Sequence, residues 1–270
     1  MDKTDTSPKP DRSVNVMGIE AYSPRQIADR VEAAGVVKAA LPLDKLATLG
    51  VLAGVFIGIG AALYTTVMTG NDLGFGPGRL LGGVAFSLGL VLVVIAGAEL
   101  FTGNALIVMA WADGRVSLLS LLRNWLVTFL ANGVGAAGLA VMIFLSGILA
   151  LGGQSETIAG IASAKMALPF GEAFVRGILC NMLVCLAVWL SFAAHDVAGK
   201  IVAITFPITA FVALGFEHSI ANLYFIPLGL MAGAQGSIAG MMMNLVPVTL
   251  GNIVGGAGGV AMVYWIIYRR

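Results

Sequence analysis

Glu99-Leu100-Phe101-Thr102-Gly103-Asn104 and Glu217-His218-Ser219-Ile220-Ala221-Asn222 interrupt two otherwise apolar stretches in the same way. Each is a Glu, then an Asn five residues later, with a hydroxyl residue between. Ionisable groups at membrane depth are costly and mark solute paths or proton relays. Matching interruptions in the two halves of a membrane chain point to a transport site.

The surrounding sequence supplies the apolar setting. Of 270 residues, 59% are hydrophobic, 11% are charged and 36 are glycine, and the mean hydropathy is +0.95. A soluble domain carries about 25% charge, so the chain reads as a polytopic membrane protein. The net charge of +1 comes with no basic helix or aromatic–basic patch, so no nucleic-acid partner is expected. Cys180 and Cys185 fit no metal-ligand spacing and read as buried small hydrophobes. Residues 1–15 are polar, with no apolar core of a secretory signal. There is no His-Glu-x-x-His, no Asp pair and no Gly-x-Ser-x-Gly. An enzyme, a metal site and a cofactor are therefore not expected, and the short loops offer no appended signalling domain.

Spans of about 20 apolar residues cross a bilayer. Six stretches qualify, near 46–68, 80–111, 121–147, 174–194, 201–231 and 241–268. The second and fifth are too long for one straight helix, and each holds one interruption. Each reads as two half-helices joined by a loop, tolerated at that depth only where it lines a cavity or is buried in protein. Six crossings put both termini on one side. Of the 15 Lys and Arg, only Arg79, Lys165 and Arg176 fall on the other side. The positive-inside rule then predicts cytoplasmic termini in a cell (inner) membrane. Residues 1–21 read as a disordered cytoplasmic tail, 22–41 as a cytoplasmic amphipathic helix and 42–270 as the channel domain. Ser23-Pro24-Arg25-Gln26 predicts the start of that helix through a capping box with Pro in the first turn. Ile27, Val31 and Ala34 predict its apolar stripe, which either gates a cytoplasmic mouth or rests on the bilayer or a neighbouring subunit.

The internal match extends further. Asn124 is followed by Asn132 and Gly135, and Asn244 by Asn252 and Gly255, at the same spacings of eight and three. Upstream, Gly54 and Gly58 parallel Gly177 and Asn181 more weakly. Two repeats of three crossings each are necessarily opposite in orientation, which predicts an inverted repeat with a binding site between the halves.

Three motifs carry a resemblance to the formate/nitrite transporter family: 97–104, Gly177-Ile178-Leu179-Cys180-Asn181, and Gly215-Phe216 followed by 217–222. The similarity runs from about Val31 to the end. It implies an all-α, aquaporin-like protomer in a homopentamer, each protomer with its own pore, although an Asn-Pro-Ala signature is absent. It also implies formate as the substrate, with nitrite or hydrosulfide as alternatives. The segment 31–38 is similar to formate-channel members, while Glu99 to Gly103 also fits nitrite members. By resemblance, Thr102 and His218 face the passing anion, with Asn181 and Asn222 nearby. Leu90 and Leu100 match a cytoplasmic constriction, Phe86 and Phe211 a periplasmic one, and Phe101 a loop beside it. Lys165 aligns with a lysine that draws anions, or is a solvated loop charge.

A monovalent anion entering an apolar pore loses hydration at a cost of several kcal/mol. Positive charge or protonation offsets that cost, and histidine titrates near physiological pH. His218 is thus expected either to exchange a proton or only to brace its loop, and His195 to be solvated. Glu99 and Glu217, with Gly103 and Asn104, are expected to hold the broken loops. The carboxylates are expected to accept backbone N–H groups, and Asn124, Asn132, Asn244 and Asn252 to tie helices together.

Overall fold

The computed structural model describes residues 21–270, so the tail expected at 1–21 lies, Ala21 apart, outside the described residues. The regular structure of the described residues is helical, apart from one isolated β-bridge between Ala21 and Ala194. It runs α1 (Pro24–Ala39), α2 (Leu43–Met68), α3 (Phe75–Leu92), α4 (Val108–Ala112), α5 (Leu118–Leu145), α6 (Gln154–Met166), α7 (Phe170–Ala193), α8 (Val197–Leu214), α9 (Ser219–Met231), α10 (Ile238–Ile253) and α11 (Val263–Tyr268). A π-helical turn extends α3 to Gly97, and a longer π-helical segment, Val254–Met262, joins α10 to α11. Six helical runs are long and apolar enough to cross a membrane: Leu43–Met68, Phe75–Gly97, Leu118–Leu145, Phe170–Ala193, Val197–Leu214 and Ile238–Tyr268.

Local chemistry sets several boundaries. Ser23 and Gln26 close a capping box on α1, with Pro24 in its first turn. Ser117, Asp196 and Ser237 accept backbone N–H groups at the starts of α5, α8 and α10. The helices before the two interruptions end similarly. Gly97 has φ +86° and Gly215 has φ +76°, values that side chains other than glycine rarely adopt. After Gly97 the chain is non-helical until a 3₁₀ turn, Gly103–Ile107, leads into α4. After Gly215 it is non-helical until α9. The pieces are not halves. Phe75–Gly97 alone has 23 residues, enough to cross, and its continuation is short. The interrupted stretches each pair a long helix with a short one.

Close packing binds the crossing helices in two pairs. A Cβ on Gly54 of α2 would stand 2.0 Å from the Asn132 carbonyl oxygen of α5, and one on Gly135 would stand 2.0 Å from that of Val51. On α10 and its π-helical extension, a Cβ added to Gly251 or Gly255 would likewise stand 2.2 or 2.1 Å from the Phe174 or Ile178 carbonyl oxygen of α7. Small residues let membrane helices approach to backbone contact, where van der Waals packing holds them.

Two elements depart from the sequence expectations. The apolar stripe of α1, Ile27, Val31 and Gly35, is buried, whereas Ala34 is half-exposed. This face packs on the chain itself, with Gly35 against Ile107 and Ala110, rather than on lipid. α6 was not foreseen. It packs against α9 through Ala162 and Ile158, which leave room only for Gly229, and it lifts Lys165 out of a loop onto a helix.

Candidate pore

Each interruption is held by the same set of bonds. The Glu217 carboxylate accepts from Lys165 Nζ at 2.9 Å and Asn222 Nδ2 at 2.7 Å. Asn222 also donates to Asn244 Oδ1 at 2.7 Å, and Asn244 donates to the Lys165 carbonyl at 2.8 Å. The Glu99 carboxylate accepts from Lys38 Nζ at 2.6 Å and Asn104 Nδ2 at 2.8 Å. Asn104 donates to Asn124 Oδ1 at 2.9 Å, and Asn124 to the Lys38 carbonyl at 3.0 Å. Asn252 donates to the carbonyls of Gly177 and Glu217 and accepts from Ser219 N–H. Asn132 donates to the carbonyls of Gly50 and Glu99 and accepts from Phe101 N–H. A buried loop must satisfy its backbone groups internally, and one asparagine from a neighbouring helix does so for two loop groups while also binding a carbonyl of an adjoining helix.

These bonds correct two expectations. Glu99 and Glu217 accept lysine and asparagine side chains, not backbone N–H groups. The upstream register also shifts by one turn, because Gly50, not Gly54, corresponds to Gly177, each carbonyl accepting from the asparagine that holds its break.

Between the interruptions, Thr102 Oγ1 lies 3.0 Å from His218 Nε2, both groups buried. His218 also begins α9, its Nδ1 accepting the Ala221 N–H at 3.1 Å. With Nδ1 an acceptor, the neutral ring carries its proton on Nε2 and donates to Thr102. The Thr102 hydroxyl hydrogen is then free for a third partner. Asn181 donates to the carbonyls of Thr102 and Asn252 at 3.2 and 2.6 Å, and Cys185 Sγ donates to that of Thr102 at 3.4 Å. Asn181 Oδ1 and the Ser219 hydroxyl are buried without a partner, so an acceptor and a hydroxyl stay open nearby.

Two cavities with no lining residue in common approach this contact. One, of about 250 Å³, is lined by Tyr64, Arg79, Phe86, Lys165, Arg176, Phe211, Phe225, Glu217 and His218, among others. Its aromatic side chains close on one another: Phe86 meets Phe211 edge-on at 5.7 Å, and Phe211 stacks beside His218 at 5.9 Å. The other, of about 400 Å³, is lined by Lys38, Leu49, Leu90, Val93, Glu99, Leu100, Asn104 and Lys200, among others.

The expected site residues therefore separate. Phe86, Phe211, Lys165, Glu217 and His218 line the first cavity, and Leu90, Leu100, Glu99, Gly103 and Asn104 the second. Asn181 and Asn222 act on the backbone and on Glu217, as described above. Phe101 lines neither cavity and packs edge-on against Phe129 at 5.1 Å and Trp125 at 6.3 Å. Lys165 is paired with Glu217, its side chain 15% exposed, so it is not a solvated loop charge. His195 is exposed and lies against Tyr22. Sequence reasoning passed over Lys38 as a partner of Glu99. The signal was present: Lys38 precedes Gly50 by the same twelve residues that separate Lys165 from Gly177. Tyr64, Phe225 and Arg79 carried no motif and enter only through the fold.

A sequence model described as formate/nitrite transporter matches residues 25–266. A probable formate transporter of Methanothermobacter thermautotrophicus is 43% identical over 94% of this chain and 100% of its own. The formate channel FocA of Escherichia coli is 39% identical over 92% of this chain and 94% of its own. Among solved structures, a pentameric formate channel with formate bound is 40% identical and superimposes with a TM-score of 0.76, covering 84% of this chain and 98% of that one. An ion channel of the same family is 30% identical with a TM-score of 0.82, covering 90% and 98%.

Proposed function

This chain belongs to the formate/nitrite transporter family, and we propose that it passes formate across a cell membrane through a pore within each protomer. The observation that carries the reading is the buried Thr102–His218 contact between two separate cavities, each lined in part by apolar side chains. The names of its relatives support formate as substrate, and the pentameric neighbour supports a homopentamer. The matching bonds of Lys38–Glu99–Asn104–Asn124 and Lys165–Glu217–Asn222–Asn244 support an inverted repeat in which each half contributes one break. Charge bias supports cytoplasmic termini, with the Leu90–Leu100 narrowing toward the cytoplasm and Phe86–Phe211 toward the opposite side.

Formate meets the centre as an anion. The Thr102 hydroxyl hydrogen is the donor that replaces lost water, polarised by the His218 Nε2–H that Thr102 Oγ1 accepts. Leaving through an apolar ring is easier for neutral formic acid, because no ionic hydration is then forfeited. His218 in its protonated form gives one proton to formate, directly or through water, and regains it from solvent. A proton on Nδ1 opposes the Ala221 N–H, so each proton taken up also loosens the start of α9. This ties proton exchange to the geometry of the break.

Stopped-flow uptake of formate, nitrite and hydrosulfide into proteoliposomes, across external pH, tests the reading. Formate passes fastest, and faster as the outside is acidified. Nitrite or hydrosulfide clearly faster replaces the substrate, and a formate flux independent of pH removes proton exchange.

A further inference from the structure

The charges around the two cavities pair unequally. Lys165 is held by Glu217 at 2.9 Å and Lys38 by Glu99 at 2.6 Å. Arg176, beside the first cavity, is held by Glu172 at 2.9 Å. A lysine and a carboxylate in contact form a dipole, whose field falls off faster than that of a single charge. Once these pairs are removed, one cation remains at each cavity, Arg79 at the first and Lys200 at the second. Among the described residues, neither forms an ion pair. Arg79 donates through Nε to the Ala213 carbonyl at 2.7 Å and through Nη2 to that of Val212 at 3.1 Å. These carbonyls end α8 and hold the guanidinium in place without a carboxylate to cancel its charge. Gly215 makes the room: a Cβ there would stand 2.9 Å from Arg79 Nη2. Asp196 lies one turn before Lys200, but its carboxylate accepts the Gly199 N–H at 2.8 Å.

The two cations also cross over. Arg79 stands on α3, in the first half, and lines the cavity at the Glu217 break. Lys200 stands on α8, in the second half, and lines the cavity at the Glu99 break. We propose that anions are drawn into each mouth by the unpaired cation from the opposite half, Arg79 at one and Lys200 at the other, while Lys165 and Lys38 hold the breaks in shape. The inference deepens the reading above and rests on it, because it concerns entry of the same small anions. A cleft with low-dielectric walls focuses such a field and raises the local concentration of the attracted ion.

Salt separates attraction from structure. The screening length falls from about 30 Å at 0.01 M to about 3 Å at 1 M. Uptake into proteoliposomes is compared at these two ionic strengths for the parent, Arg79→Gln, Arg79→Lys, Lys200→Gln and the double neutral variant. The anion used is whichever of formate, nitrite or hydrosulfide the parent passes fastest. A wrong substrate then shows in the parent, and a wrong charge assignment shows only in the variants. Gln at 79 can still donate to an α8 carbonyl, whereas Lys keeps the charge but loses the fork. Arg79→Gln and Lys200→Gln each lower uptake at low salt roughly three- to tenfold, the double variant lowers it further, and all approach the parent at high salt. Arg79→Lys stays close to the parent at both. Neutral variants equal to the parent at low salt overturn the proposal. So does an equal, salt-independent loss in Arg79→Gln and Arg79→Lys, which would make Arg79 a helix cap only.

Discussion

The break at Glu99 and the break at Glu217 share one frame and differ in what the frame presents. Both begin two residues after a glycine of positive φ, both tie a Glu to a Lys and an Asn, and both hang from an asparagine on a neighbouring helix. The positions following each Glu then diverge. Leu100 stands where the second break has His218, Phe101 where it has Ser219, and Thr102 where it has Ile220. His218 caps α9 with its ring, and α9 starts at once as an α-helix. Thr102 makes no such cap, and the chain runs through a 3₁₀ turn before α4. The scaffold is thus duplicated while the chemistry is single: one imidazole from one break meets one hydroxyl from the other. The shared frame fixes the shape, and divergence supplies the Thr102–His218 contact.

The largest effect comes from the shared frame. Asn252→Leu strands the Ser219 N–H and the Glu217 carbonyl, removes a second bond to the helical Gly177 carbonyl, and destabilises by about 2–4 kcal/mol. Asn132→Leu strands the corresponding groups and costs the same. Thermal unfolding of the detergent-solubilised protein checks both, and a clear inequality breaks the equivalence of the two frames. The carboxylates sharpen it. Glu217→Gln leaves Lys165, with 15% of its side chain exposed, without its counter-charge, whereas Lys38 is 32% exposed. Removing one partner of a buried pair is strongly destabilising, and solvent relieves part of the cost. The same assay then shows a loss of about 2–3 kcal/mol for Glu217→Gln and about 1–2 kcal/mol for Glu99→Gln.

His218→Leu makes the second break resemble the first. It removes the α9 cap at about 1 kcal/mol and abolishes the pH dependence of formate flux. Retained pH dependence would sink proton exchange at this ring.

The smallest effect distinguishes the two lysine-bearing helices. α6 is held beyond Lys165 by uncharged bonds, such as Thr66 to Gln154 and Thr69 to Thr157. α1 is held by ions: Arg115 and Arg269 meet the buried Glu32, and Arg269 also meets Asp29 and Asp113. Bonds from Arg269 and then Trp265 hold the Asp113 carboxyl below its ordinary range. A group depressed in the folded state stabilises above its unfolded pKa, about 3.9 for Asp, and that stability is lost as pH falls through the lower folded value. Hydrogen exchange at pH below about 4 therefore quickens in α1 relative to α6, and Asp113→Asn removes part of the difference. Equal acceleration in both helices contradicts the assignment.

Much of this pore was legible in residue order. The Glu-to-Asn spacing located both interruptions, and the Asn-to-Asn spacing located the residues that hold them, because each spacing repeats where hydrophobicity should continue. The Lys38–Glu99 pair was missed because its members are 61 positions apart and Lys38 lies outside the apolar spans. The register of the first and fourth crossings was misread by one turn because a glycine-rich helix offers several equivalent small-residue positions. Only the bond from Asn132 to Gly50 selects one. Phe101 was expected beside a constriction, but a side chain in a break takes its direction from the surrounding helices, here Trp125 and Phe129.

The sequence by itself determined that six apolar runs form helices and that two of them break. Continuous apolar runs bury their backbone bonds most readily as helices, and a Glu at membrane depth forces a polar exception. Tertiary structure alone decided which lysine reaches which carboxylate, that His218 reaches Thr102 with one ring nitrogen while capping its own break with the other, and which cations remain unpaired at the cavities. Those outcomes depend on contacts between groups 52 to 134 positions apart, where local spacing carries no distance information.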